Sequence, residues 1–188
     1  TILKEWATLP ETLSSDAKDY YSRLNRATKV LTKESEPEVG LSPKEVIWTK
    51  NKAKLYRYVS DHPKKHKVPL LFVYALINKP YILDLTKGSS FVEYLVNRGF
   101  DVYLLDWGTP GYEDKDLKLD DYVLDYIPRA VRKVLKTSNA DEISIFGYCM
   151  GGTITSIFAA LHPELPIRNL IFMTSPFSFE NAGLYNQM

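Results

Sequence analysis

The chain is nearly without cysteine, histidine and net charge, and each shortage removes a class of function. One cysteine in 188 residues cannot form an internal disulfide, and with only three scattered histidines it cannot build a clustered Cys/His metal site. Cys149 is therefore either a buried small hydrophobe or a reactive group. Lys plus Arg number 24 against 23 Asp plus Glu, a balance of +1, so no general field gathers nucleic acid or anionic lipid. No apolar run is long enough to span a bilayer, and TILKEWATLPETLSSD at the N-terminus has neither the basic flank nor the apolar stretch of a signal peptide. No phosphate-binding loop or dinucleotide fingerprint occurs either. These absences predict a soluble, cytoplasmic protein with no cofactor, no metal and no nucleic-acid partner.

What is present is enough apolar material, 45% of residues, for one sizeable core. From Ser15 to Lys33, Ala17, Tyr20, Tyr21, Leu24, Ala27, Thr28 and Leu31 recur at three- and four-residue steps, which predicts an amphipathic helix. ESEPEVGLSP, residues 34 to 43, suits a linker. Strand and helix signals then alternate. EVIWTK and KLYRYV read as early strands, PLLFVY as a strand buried on both faces, and Ser89 or Ser90 as the cap of a helix that Gly99 closes. DVYLLD is a fourth strand, and Leu119 to Lys136 is helical with Pro128 kinking it or dividing it in two. EISIFG, TITSIFAAL and IRNLIFMT complete a strand, a helix and a sixth strand. The pattern predicts a mostly parallel sheet with helices on both faces. Residues 1–40 form a helical extension and linker, 41–175 the sheet domain, and 176–188 the start of a cap region.

The stretch Gly147-Tyr148-Cys149-Met150-Gly151 has the spacing of a nucleophile elbow, with cysteine where serine is usual. A strand ending at Phe146 and a helix from about Met150 put Cys149 on a sharp corner. Glycines flank it because side chains two residues either side would collide across the turn. The helix N-terminus favours an anion at that corner. The Met150 N–H is expected as one oxyanion donor, and the second from the loop after the third strand, at Leu76 or Ile77. A chance match around a buried cysteine is the plain alternative, since free cysteine is often buried. The placement between strand and helix favours the elbow.

GYCMGGT at 147–153, INKPYILDL at 77–85, DVYLLDWGTPG at 101–111 and FMTSPFSF at 172–179 resemble the signature blocks of polyhydroxyalkanoate synthases, from roughly residue 65 onward. The resemblance implies an α/β-hydrolase fold and polymerisation of short-chain 3-hydroxyacyl-CoA with release of CoA, the growing polyester being carried as a thioester on Cys149. It also implies location at polyhydroxyalkanoate granules. The short N-terminal extension and the DWGTPG form are similar to the two-subunit synthases, first the Bacillus-like type with a PhaR subunit and second the type with PhaE; a homodimer is a further possibility. A thiol suits this chemistry because attack on an acyl-CoA exchanges one thioester for another and keeps the acyl group activated.

No general base is evident. In this fold acid and histidine follow the nucleophile in the chain. His162 follows, but a helix rising ~1.5 Å per residue places it about 20 Å away. His62 and His66 precede the third strand and belong at the opposite edge of the sheet. The family's catalytic Asp and His lie beyond two further strands and a cap, so the 188 residues are expected to be the N-terminal part of a synthase, inactive alone, with the sixth strand as an exposed edge. Asp106 is expected to hold a loop through backbone N–H groups, and Lys64, Lys65 and Lys67 to lie on a solvated loop. The Ser15–Lys33 helix docks on its own domain or binds the partner subunit. A cysteine hydrolase of the dienelactone-hydrolase kind and a noncatalytic assembly module are the rival readings.

Overall fold

The computed structural model describes residues 15–31, 38–178 and 180. The chain divides into two units between Glu38 and Val39. The first holds helix α1, Ser15–Leu31, where the spacing placed a helix; Lys33 lies outside the described residues. Within α1 the Ser22 hydroxyl donates to the Asp19 carbonyl at 2.8 Å.

The second unit is built on a six-stranded sheet. Strands β1 (Lys44–Lys50) and β2 (Ala53–Tyr58) form a hairpin closed by the Lys50 and Ala53 pair. Asn51 in its two-residue turn has φ +50°, a left-handed conformation that asparagine tolerates and two-residue hairpins require. Strands β3 (Leu70–Val73), β6 (Val102–Asp106), β7 (Ile143–Tyr148) and β8 (Ile167–Met173) run parallel, and the order across the sheet is β1-β2-β6-β3-β7-β8. β3 is central, and all four of its residues are buried, as the continuous apolar run demanded. The mostly parallel sheet of the α/β-hydrolase fold is therefore present, with an antiparallel pair at one edge.

Two very short strands escaped the sequence pattern. After a 3₁₀ turn at Pro80–Leu83, β4 (Asp84–Thr86) pairs with β5 (Ser89–Ser90) around Gly88, whose φ is +77°. Three residues and two are too few to show a period. Helix α2 (Phe91–Asn97) follows, and Ser90 rather than Ser89 is its cap, its hydroxyl accepting from the Glu93 N–H at 2.9 Å.

The Pro128 helix resolves into three pieces. α3 (Leu119–Asp121) passes into a π turn at Tyr122–Tyr126, and α4 (Ile127–Ser138) begins with Pro128 in its first turn. A proline inside a helix removes one hydrogen bond and presses its ring on the carbonyl four residues earlier; the wider π turn takes up that misfit. Asn139 ends α4 in the left-handed conformation.

Helix α5 (Met150–Leu161) connects β7 to β8. The core joins Leu71, Phe72, Leu104 and Ile145 of the sheet to Ile127, Val131 and Phe158 of the helices, all fully buried. β8 differs. It is the outer strand, paired with β7 alone among the described residues, and Leu170, Ile171 and Phe172 are 38%, 40% and 39% exposed.

Candidate active site

Cys149 sits between β7 and α5 with φ +54° and ψ −130°. A residue with a side chain holds such a backbone only at a cost of order 1–3 kcal/mol, so the surroundings must impose it. They do so from three directions. The Cys149 N–H donates to the Met173 carbonyl of β8 at 2.9 Å, and the Cys149 carbonyl accepts from the Gly152 N–H, also at 2.9 Å. After β8, the Ser175 hydroxyl approaches the Gly147 carbonyl and the Pro176 carbonyl accepts from Thr153 Oγ1 at 2.7 Å. The segment past β8 thus wraps the first turn of α5. Cys149 itself is partly buried and is a free thiol.

The glycines are required by contact as well as by conformation. A Cβ on Gly147 would lie 2.4 Å from the Gly152 Cα, and one on Gly151 would lie 2.2 Å from the Val73 carbonyl oxygen. The first turn of α5 therefore packs directly on the end of β3.

That contact brings the elbow beside the loop expected to supply an oxyanion donor. Residues 75–78 form a turn closed by the Asn78 N–H on the Ala75 carbonyl at 3.4 Å, which leaves the N–H groups of Leu76 and Ile77 outside the closing bond. The Met150 N–H, at the first position of α5, has no intrahelical partner by geometry. Beside this loop a small cavity of about 70 Å³ is lined in part by Leu76, Trp107, Leu117 and Tyr122.

Asp106, at the end of β6, accepts from the Gly108 N–H at 2.9 Å, the backbone role expected of it, and also from the Tyr74 hydroxyl at 2.8 Å. The Tyr74 bond has no signature in the sequence, because the two residues lie at the ends of neighbouring strands far apart in the chain. Burial, then the Asp106 carboxylate, pushes the Tyr74 phenol well above the usual tyrosine range, so it stays a donor.

The histidines stay away from the elbow. His162 caps the far end of α5, its Nδ1 3.0 Å from Glu164 Oε1, while His66 stacks on Phe100 in the segment that leads into β3. His62 lies in that same segment, with its N–H on the Ser60 hydroxyl. Among the described residues no acid–histidine pair reaches Cys149. Lys64, Lys65 and Lys67 are exposed, as expected of a solvated loop. Lys64 is not merely solvated: its Nζ lies 2.5 Å from Asp101 Oδ2, and Arg57 Nε lies 3.2 Å from Asp101 Oδ1. The loop is tied down because Asp101 is 5% exposed and its charge needs partners. Among the described residues no cluster of His, Cys, Asp and Glu is arranged to hold a metal ion, and no helix is long and apolar enough to cross a membrane.

Comparison with known proteins agrees with this geometry. Residues 68–187 match the alpha/beta hydrolase fold family, and residues 9–95 match the N-terminus of poly-beta-hydroxybutyrate polymerase (PhaC). The likeness thus begins well before residue 65, the approximate start expected from the four sequence blocks. Among curated relatives, the poly(3-hydroxyalkanoate) polymerase subunit PhaC of Haloferax mediterranei is 48% identical over 149 residues, 79% of this chain and 30% of the relative. That of Thiocystis violacea is 38% identical over 177 residues, 93% of this chain and 49% of the relative. The chain spans less than half the length of either. A solved structure of a lipase candidate from Sulfolobus solfataricus, 16% identical, superposes with a TM-score of 0.58 over 74% of this chain and 47% of that one, which shows the shared fold. A strand-to-helix corner built around a thiol, on a sheet of this order, agrees with the sequence matches: the chain belongs to the alpha/beta hydrolase fold family and, over most of its length, is similar to the poly(3-hydroxyalkanoate) polymerase subunit PhaC.

Proposed function

We propose that these residues carry the nucleophile of a poly(3-hydroxyalkanoate) polymerase. The observation that carries the reading is the backbone of Cys149, held at φ +54° on the corner between β7 and α5. In the proposed reaction the sulfur attacks the carbonyl carbon of a short 3-hydroxyacyl-CoA. One carbon–sulfur bond forms, the bond to CoA breaks, and CoA leaves with the proton that Cys149 gives up. The 3-hydroxyl of another unit then attacks the Cys149 thioester, forming an ester as the new carbon–sulfur bond breaks and the hydroxyl's proton returns to the Cys149 sulfur. The N–H groups of Met150 and of Leu76 or Ile77 are assigned to the oxyanion of each tetrahedral intermediate. The proton transfers need a base, and by resemblance to the synthases this is a histidine with an aspartate partner outside these 188 residues. The residues in hand are accordingly proposed to be inactive alone.

The relatives are named as polymerase subunits, which supports a second subunit; its type, PhaR first and PhaE second, and work at the surface of polyester granules in the cytoplasm are proposed from the resemblance to the two-subunit synthases alone. Copurification of the full-length protein with each subunit type tests the pairing, and fluorescence tagging in polymer-accumulating cells tests the location. For the reaction, full-length protein is incubated with 3-hydroxybutyryl-CoA. Free CoA, insoluble polyester and an acyl adduct on the Cys149 peptide are expected. Free 3-hydroxybutyrate without polymer would instead establish a cysteine hydrolase, which the same corner would serve, and no CoA release would leave an assembly module.

A further inference from the structure

Two hydrogen bonds tie Tyr74, just after β3, to consecutive residues at the end of β6. The Tyr74 hydroxyl donates to Asp106 Oδ1 at 2.8 Å, and the next residue, Trp107, donates its indole N–H back to the Tyr74 carbonyl at 2.9 Å. Residue 74 is thus held by its side chain and by its backbone at once. Both partners are firm. Tyr74 is fully buried, Trp107 is 8% exposed, and the indole meets the Tyr122 ring edge-on with centroids 5.2 Å apart. The Asp106 carboxylate is fixed in turn by the Gly108 N–H.

The Tyr74 carbonyl also lies against the first turn of α5. A Cβ on Gly151 would lie 2.7 Å from both the carbon and the oxygen of that group, so the first turn of α5 rests against the peptide that Trp107 grips. Gly151 is two residues past Cys149, and Leu76 is two residues past Tyr74. One peptide therefore sets the spacing between the thiol corner and the loop amides.

We propose that Trp107 is a positioning residue for acyl transfer, its indole N–H holding the Tyr74 peptide so that the amides of Leu76 and Ile77 stay in register with Cys149. The proposal rests on the polymerase reading above and deepens it. It assigns to Trp107 a task that hydrophobic packing alone would not require, because the ring packs equally well without its N–H. A displacement of the loop by a fraction of an ångström weakens the donor to the oxyanion while leaving substrate binding largely in place.

The test uses full-length protein and two variants, Trp107→Phe, which deletes the indole N–H, and Tyr74→Phe, which keeps that bond and deletes the other. Acylation of Cys149 by 3-hydroxybutyryl-CoA is measured for kcat and KM, alongside alkylation of Cys149 by iodoacetamide, a displacement at saturated carbon that passes through no oxyanion. For Trp107→Phe the expected result is a kcat for acylation lower by roughly ten-fold or more, with KM and the alkylation rate changed by less than about two-fold. Tyr74→Phe is expected to move kcat in the same direction by less, and it decides the matter if Trp107→Phe fails to fold. Unchanged acylation, or acylation and alkylation falling together, would overturn the proposal. Wild-type protein that is alkylated but never acylated would overturn the polymerase reading instead, a result distinct from either of these.

Discussion

The Cβ that Gly152 lacks would sit 1.9 Å from the Ser175 hydroxyl oxygen and 2.6 Å from the Ser175 Cβ. Helix α5 and the segment after β8 meet at this point with no space for a methyl group. Gly152→Ala should therefore destabilise the fold by about 1–3 kcal/mol, seen as a lower urea midpoint. Adding Ser175→Gly should recover most of the loss, and failure of the double variant to recover would show that the strain lies elsewhere.

Cys149 occupies a backbone conformation that glycine adopts freely. Cys149→Gly should abolish acyl capture and yet leave the protein more stable than Cys149→Ala by about 1 kcal/mol. Chemical denaturation of the two variants checks this, and equal stabilities would mean that the corner relaxes when the thiol is removed.

Cys149→Ser retains the shape of the site and alters the acyl bond. In the full-length protein it should accumulate a single acyl group as an ester and pass it on far more slowly than the thioester, since an ester carbonyl is less reactive toward the next hydroxyl. Mass spectrometry of the variant's peptide spanning position 149, after exposure to 3-hydroxybutyryl-CoA, reads the stoichiometry. Turnover at the wild-type rate would remove the argument for sulfur.

Asp101 is buried with Arg57, Lys64 and the Tyr103 hydroxyl around it. Asp101→Asn leaves the partly buried Arg57 with only the exposed Glu45, 3.7 Å away, as counter-charge and should cost about 3 kcal/mol. Lys64→Ala removes a half-exposed partner and should cost at most about 1 kcal/mol. Thermal unfolding of both variants measures the ratio, and similar losses would mean that Lys64, not Arg57, secures the carboxylate.

Burial, aided by nearby carboxylates, raises the phenols of Tyr58, Tyr74 and Tyr103 above the ordinary tyrosine range. Their protons are held more tightly in the folded than in the unfolded state, so the stability they contribute is complete below about pH 10 and declines as pH rises beyond it. An absorbance titration should show these three forming tyrosinate only together with the loss of folded structure. Full tyrosinate formation with the circular dichroism intact would contradict their burial.

How much of this was legible beforehand depended on whether the cause was local. PLLFVY announced a central strand because a strand buried on both faces has no polar side, and the Gly147–Gly151 spacing announced the corner because the turn's steric needs fall within five residues. β4 and β5 left no period to read. The π turn was visible only as a misplaced proline, since the sequence shows that Pro128 disturbs a helix but not how the neighbouring turn absorbs it. Ser175 against Gly152, and Trp107 against Tyr74, are contacts between segments that only the sheet order brings together. A tryptophan just after a strand end carries no mark of which carbonyl its N–H will meet.

Because the Cys149 N–H is held by the Met173 carbonyl, the thiol corner depends on chain made after it. On the ribosome, a nascent polypeptide that has already exposed the cysteine still lacks the strand that clamps it and the serine that closes over its helix. The bend at Cys149 therefore takes shape only once the stretch through Ser175 has emerged, so the corner is folded well after the cysteine itself has been made.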